Sequence, residues 1–173
     1  MMKVDDRGRT GRVYQINVKG ATPGEHGLPK KPVDSVQVTK AGLTGDFNLY
    51  RTEKLHGDPD SAVLLMPLET ISQLNSEGWP IRPGEIGENF TTTGLAYETF
   101  SPGKRFSVGG VTVEVSRPCD PCKNLYLLPF VGKANGPRFL KVMLGRRGWY
   151  ARVKTGGRVS RGDAILELPI EQG

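Results

Sequence analysis

The chain has 173 residues, of which 36% are hydrophobic and 24% charged, and these values favour one soluble globular domain that needs no disulfide. No apolar run approaches the ~18 residues of a membrane span, and residues 1–10 lack the apolar stretch of a secretory signal. The net charge of +6 is concentrated in residues 104–161, which hold 13 Lys/Arg against 2 Asp/Glu. This segment predicts either an anionic partner or a solvated basic face, and it lacks the recognition-helix, zinc-finger and aromatic patterns of nucleic-acid binding.

Short strands dominate the predicted secondary structure, because 23 glycines and 13 prolines divide the chain into short segments. The helix predicted at 67–78 repeats Leu68, Ile71 and Leu74 at helical spacing, and the predicted hairpin at 103–118 turns at two glycines. In chain order we predict strands at 12–19, 34–40 and 62–66, the helix at 67–78, a strand ending near residue 95, the hairpin at 103–118, a short helix at 137–144 and two closing strands at 148–168.

This order of elements predicts a mainly β fold, a closed β-barrel of short strands with one or two short helices. We expect the domain to span residues 12–168, with an N-terminal extension at 1–11 and a C-terminal tail at 169–173. Two cysteines and no signal segment predict a reducing, cytoplasmic compartment and no membrane partner.

Both cysteines lie in one short stretch, SRPCDPCKNL at residues 116–125, and several chemistries compete for them. A structural zinc site needs about four ligands, whereas His26 and His56 are the only histidines. A dithiol redox pair normally opens a helix in a βαβ setting, whereas these prolines follow a predicted strand. A single thiolate that serves as a soft metal ligand or sulfur donor is favoured by the flanking cations Arg117 and Lys123. Two buried structural thiols are the remaining alternative.

Six motifs resemble those of the MOSC domain, the molybdenum cofactor sulfurase C-terminal domain, and occur in the order typical of that family. They are GLTGD at 42–46, HGDPDSAVLL at 56–65, PGEIGENFTTTGL at 83–95, VSRPCDPCKNL at 115–125, GRRGWYARV at 145–153 and VSRGDAILEL at 159–168. The chain is most similar to the stand-alone bacterial branch, the YiiM-like proteins, over most of residues 12–168. The resemblance implies a barrel of the type found in the small domain of pyruvate kinase.

The resemblance also implies that the protein binds the molybdenum cofactor, an anionic pterin that carries the metal. Aligned on the family's Pro-Cys-x-x-Leu pattern, Cys122 is implied as the catalytic residue, which ligates molybdenum or carries a transferable persulfide. Cys119 stands where many relatives have arginine, so this chain has one cation fewer and a second thiol beside Cys122. Lys104 replaces the aspartate usual in a turn of the family, which is expected to change only that turn.

An anionic cofactor requires cations and backbone N–H groups around it, and the motifs supply candidates for both. Arginine holds phosphate through paired hydrogen bonds, which favours Arg147 and Arg152. Gly84 and Gly87 bend a loop whose N–H groups are expected to approach an anion. The candidate cofactor-binding residues are Asp46, His56, Gly87, Asn89, Arg117, Lys123, Arg147 and Arg152, and each of them also has a purely structural interpretation.

Three functions stay open at this point. The first is a small molybdenum-dependent oxidoreductase, for which the resemblance suggests N-hydroxylated substrates and a separate redox partner. The second is a persulfide carrier or sulfurtransferase for cofactor or metal–sulfur cluster assembly. A separate cysteine desulfurase would load it, because the chain is not expected to bind pyridoxal phosphate alone. The third is a non-catalytic thiol switch or binding module built on Cys119 and Cys122.

Overall fold

The computed structural model describes residues 10–22 and 25–170, without the side chains at positions 49 and 50. Most of the predicted extension and tail lies outside these residues. The strands are β1 (Thr10–Val18), β2 (Lys31–Val33), β3 (Ser35–Thr39), β4 (Gly42–Leu43), β5 (Val63–Pro67), β6 (Phe90–Thr93), β7 (Arg105–Val108), β8 (Val111–Pro118), β9 (Trp149–Thr155), β10 (Gly157–Ser160) and β11 (Ala164–Glu167); the helices are α1 (Leu49–Glu53), α2 (Leu68–Ser76) and α3 (Gly132–Met143). None of the described helices is long and apolar enough to cross a membrane.

Seven of the strands form a closed barrel, as the sequence predicts. They follow the order β11-β7-β8-β9-β5-β6-β1, and the ring closes because β1 pairs with β11, with Thr10 opposite Leu166. Neighbours run antiparallel except β5 and β6, which are parallel. Strand β2 extends the sheet beyond β1, while β3, β4 and β10 form a separate three-stranded sheet. Closure leaves the seven barrel strands without an open edge.

The barrel interior is filled by side chains that alternate along the strands. In the β7–β8 hairpin Phe106 lies opposite Val113, and both are fully buried. The Phe106 ring packs 4.9 Å from that of Phe100, between centroids. Burying each such aromatic side chain stabilises the fold by about 1.5–3 kcal/mol. The predicted hairpin is therefore confirmed, and it delivers the end of β8 to a fixed place at the barrel mouth.

Two predicted elements differ from the structure. Helix α3 begins at Gly132, so Pro137 lies inside it rather than at its start. The close fit of Gly136 to Tyr126, where a Cβ would lie 2.3 Å from the ring, and the burial of Phe139 outweigh the poor helix propensity of proline. The closing segment contains three strands rather than two, because β10 leaves the barrel and pairs with β3.

Candidate functional site

The two cysteines follow β8 directly, and their backbone places them differently. The N–H of Cys119 donates to the carbonyl of Gly148 at 2.9 Å, which extends the β8–β9 pairing and leaves the side chain 6% exposed. Gly148 has φ +104°, and a Cβ there would lie 2.6 Å from the Leu65 carbonyl oxygen, so only glycine fits. Cys122 precedes a 3₁₀ turn at Lys123–Leu127 and is exposed.

A cavity of about 540 Å³ brings the two thiols together with most of the predicted cations. Its walls include six residues predicted from the sequence to lie at the site, namely Gly87, Arg117, Cys119, Cys122, Lys123 and Arg147, together with Tyr150. The volume is that of a small-molecule site. Cofactor contact by these six residues stays a prediction, but their convergence in one place is a finding.

Arg147 is the most unusual group on the cavity wall. Its guanidinium is 5% exposed and donates to the Ile86 carbonyl oxygen, while Nε and Nη1 have no hydrogen-bond partner among the described residues. Burial lowers the pKa of Arg147, but attraction to Cys119, to Tyr150 and to further groups raises it above its usual value. A buried charge with unmet donors is costly unless something else satisfies it. The arrangement suits an anionic ligand in the cavity.

Tyr150 lies on the wall of the cysteine cavity and interacts with both Cys119 and Arg117. Burial, together with electrostatic interaction with Cys119, raises the pKa of Tyr150. The Arg117 guanidinium lies 5.2 Å from the centre of the Tyr150 ring and 3.3 Å from the Asp58 carboxylate. A register shift between Val115 and Arg117 places Arg117 opposite Tyr150. Stacking and ion pairing together fix Arg117 at the cavity rim.

A second, smaller pocket of about 60 Å³ adjoins the cysteine cavity and is lined by two further predicted site residues, Asp46 and Asn89. Asn89 is buried; its Oδ1 accepts from the N–H of Leu64 at 3.0 Å and its Nδ2 donates to Asp46 at 2.9 Å. Asp46 also pairs at 2.6 Å with the ammonium of Lys30, and burial lowers the pKa of that lysine. Asn89 thus acts as an internal support for Asp46. Gly87 lines both cavities.

Two predicted site residues and one predicted glycine lie away from the cysteine cavity. Arg152 lies opposite Glu114 in the β8–β9 ladder. Its guanidinium forms ion pairs with Glu114 and, at 2.7 Å, with Asp60. The side chains of residues 151 and 153 are buried in the barrel interior, so the side chain of Arg152 points outward. His56 is exposed in a turn with φ +51° and lines neither cavity. The N–H of Gly84 donates to the carboxylate of Glu88 and is not offered to a ligand. These three residues line neither cavity, and their contact with a cofactor stays a prediction.

Sequence reasoning missed Lys30 and Arg51, which line the small pocket. Lys30 lies in a Gly/Pro-rich loop, and Arg51 lies in α1, a short helix that is not among the elements predicted from the sequence. Both positions look like ordinary surface cations in the sequence. Their place beside Asp46 depends on how distant loops pack, and no local pattern encodes it.

Glu88 carries a fully buried carboxyl in the loop that precedes β6. Its Oε1 accepts hydrogen bonds from the Gly84 N–H and, at 3.1 Å, from the Thr91 hydroxyl. Its Oε2 has no partner among the described residues. Burial raises the pKa of Glu88 above its ordinary 4.5. The folded state therefore holds this proton more tightly than the unfolded state does.

We predict that Glu88→Gln reduces the pH dependence of stability. In the wild type, the contribution of Glu88 is fully present below pH 4.5 and is lost as the pH rises through the higher folded pKa. Between the unfolded and the folded pKa of Glu88, the free energy of unfolding falls by up to about 1.4 kcal/mol per pH unit. Urea titrations across this range measure the slope. Glu98→Gln, at an exposed position, serves as the control and should leave the slope unchanged.

Comparisons with known proteins agree on one family. The profile of the MOSC domain matches residues 52–166. The Bacillus subtilis protein YflK is 35% identical over 151 residues, and the match spans 83% of this chain and 63% of that protein's length. The crystal structure of YiiM from Geobacillus stearothermophilus superposes with a TM-score of 0.69 at 27% identity, covering 92% of this chain and 75% of that one. YuaD of Bacillus subtilis shares the fold, with a TM-score of 0.74 at 19% identity over 90% and 94% of the two chains. The chain therefore belongs to the MOSC domain family.

Proposed function

We propose that this protein binds the molybdenum cofactor in the cysteine cavity and that Cys122 is the protein ligand of the metal. The MOSC family is associated with binding of that cofactor. The observation that carries the proposal is the pairing, on one cavity, of an exposed thiol at Cys122 with the buried and incompletely bonded guanidinium of Arg147.

The residues of the cavity fit such a group chemically. A pterin phosphate requires charge-assisted donors, and the two free N–H directions of Arg147 supply them in a buried setting. Arg117 and Lys123 add positive charge at the rim. Thiolate sulfur is the ligand type that soft transition metals prefer. When bound, the cofactor would supply two-electron redox chemistry at its metal.

The chain's own contribution is to bind and orient. Arg147 would neutralise the anionic group, and the hydrogen bond from the Cys119 N–H to the Gly148 carbonyl holds Cys119 in place. This keeps the buried thiol beside Cys122 without exposing it. Reduction of N-hydroxylated compounds is the activity we propose for this arrangement. Electrons would come from a separate donor protein.

A second candidate function is sulfur carriage, which the exposure of Cys122 favours. In this step the Cys122 thiolate attacks the outer sulfur of a persulfide on a separate cysteine desulfurase. The donor's sulfur–sulfur bond breaks, its cysteine leaves as a thiolate, and Cys122 gains the persulfide. The step needs an accessible thiol and no metal, so it is separable by experiment from cofactor binding.

Cofactor extraction tests the proposal. Protein made in a host that synthesises molybdopterin is assayed for molybdenum by elemental analysis and for pterin by fluorescence of the oxidised extract. We expect both in the wild type and in Cys119→Ser, and a lower molybdenum content, held by the pterin contacts alone, in Cys122→Ala. Wild-type protein that contains neither would overturn the proposal. Mass spectrometry after incubation with a desulfurase and cysteine tests the alternative, which predicts one added sulfur on Cys122.

A further inference from the structure

A shallow groove lies beside the cysteine cavity and takes no part in the site described above. Its volume is about 680 Å³, and it is lined by Pro121, Pro137, Arg138, Leu140, Lys141 and Leu144. Pro121 lines the cysteine cavity as well, so the two spaces are contiguous. A molecule seated in this α3 groove therefore lies next to Cys122.

The floor and edge of the α3 groove expose large apolar side chains. Leu144, at the end of α3, is 64% exposed, and the half-buried Leu140 lines the groove with it. Leucines on the wall of an open concavity mark a surface that gains free energy by binding an apolar group.

The surroundings of the α3 groove are strongly basic. Residues 121–148 contain six Lys/Arg and no Asp/Glu, and four of the six remain once Arg146, which pairs with Glu77, and the buried Arg147 are set aside. Lys123, Arg138 and Lys141 are exposed. Arg138 stacks over Trp79 at 5.0 Å, which holds its charge at the groove. Asp120, in the cysteine loop, is the acidic residue nearest in sequence.

We infer that the α3 groove docks a protein partner that presents an apolar side chain within an acidic surface, and that this partner exchanges electrons or sulfur at Cys122. The inference rests on the proposed function for the reason to exchange anything there. A second copy of the chain, docked through the same groove, would place the cations of one copy against those of the other, and their charges would repel. A nucleic acid would neutralise the cations but leave the leucines in contact with water or phosphate.

Thiol–disulfide exchange with a designed probe tests the docking surface. The probe is a short peptide of two leucines flanked by glutamates, joined to a pyridyl disulfide. The Cys122 thiolate attacks the disulfide, the peptide becomes bonded to Cys122, and pyridinethione leaves and is measured by absorbance. We expect the acidic peptide to react about tenfold faster than its lysine counterpart at low salt. This preference should disappear in Arg138→Glu/Lys141→Glu and shrink in Leu144→Ser.

Three controls make the result specific. A small neutral pyridyl disulfide should react at the same rate with every groove variant, and with none of them once Cys122→Ala is added. Lys154→Glu/Arg161→Glu removes the same charge at exposed positions away from the groove and should keep the preference. The inference is overturned by equal rates for the two peptides, by loss of preference in this distant variant, or by indifference to Leu144→Ser.

A membrane surface is the competing occupant. Groove-dependent sedimentation with phosphatidylcholine–phosphatidylglycerol vesicles, together with no peptide preference, would replace the protein partner by a lipid surface and overturn the inference. Peptide preference in a protein that holds no molybdenum would retain the docking surface and reject the proposed function, so the two failures are distinguishable.

Discussion

Arg147→Met should weaken cofactor retention by about 10- to 100-fold, because a hydrogen bond to a charged group contributes about 1.5–3 kcal/mol. The same substitution should leave the cofactor-free protein as stable as the wild type or more stable. Its buried guanidinium has two donor atoms without partners in the described part of the chain, and replacing a buried charge by an apolar side chain of similar length is often neutral or stabilising by about 1–4 kcal/mol. Pterin content per protein and thermal unfolding measure the two effects.

The neighbouring arginine supplies a matched control. Arg146 makes a bidentate pair with Glu77 at the surface, at 2.7 and 2.8 Å. Arg146→Met removes the same charge one residue away, and we expect unchanged pterin content and a loss of at most about 1 kcal/mol of stability. If Arg147→Met destabilises the empty protein strongly and retains the cofactor, Arg147 is a structural residue and has no role in binding.

Asn89→Leu should destabilise the protein by about 2–5 kcal/mol and also disturb the site. The Leu64 N–H and the Asp46 carboxylate each lose a buried hydrogen bond at 3.0 and 2.9 Å. An orphaned buried donor costs about 1–3 kcal/mol, and a bond to a charged group contributes about 1.5–3 kcal/mol. Because Asp46 also pairs with Lys30, its displacement would leave a buried ammonium poorly compensated.

Urea unfolding of the cofactor-free variant measures this effect. Asn135→Leu, at an exposed position of α3, makes the same chemical change and should alter the unfolding free energy by about 0.5 kcal/mol or less. A small effect at Asn89 would mean that water or relaxed backbone replaces its hydrogen bonds. In that case, its predicted role as a direct cofactor contact would regain weight.

The fold was largely predictable because barrel strands carry a local signal. The alternation of Phe106 with Val108 and then of Val111 with Val113 defines one buried face, and the hairpin forms where that pattern turns. The start of α3 was not predictable, because Pro137 is a typical first-turn residue and is placed mid-helix here by tertiary packing.

The cations that line the cavity could be predicted where the basic segment coincides with a family motif. They could not be predicted where strand register determines which way a side chain points. Arg147 and Arg152 look alike in the sequence, five residues apart in one motif. The first lies before β9 and turns inward to the cavity, whereas the second lies within β9, one position from inward-facing Ala151. Successive side chains of a pleated strand point to opposite faces, so only the exact position of the strand separates a cavity-lining guanidinium from one in a surface ion pair.

The coordination of molybdenum in the loaded protein tests the central claim most directly, since pterin contacts can retain the cofactor after its metal ligand is removed. X-ray absorption at the molybdenum edge counts the sulfur atoms bound to the metal. We predict a protein sulfur in addition to the dithiolene pair in the wild type and in Cys119→Ser, and its loss in Cys122→Ala. Identical sulfur coordination in the wild type and Cys122→Ala, or a loss confined to Cys119→Ser, would contradict the assignment of Cys122.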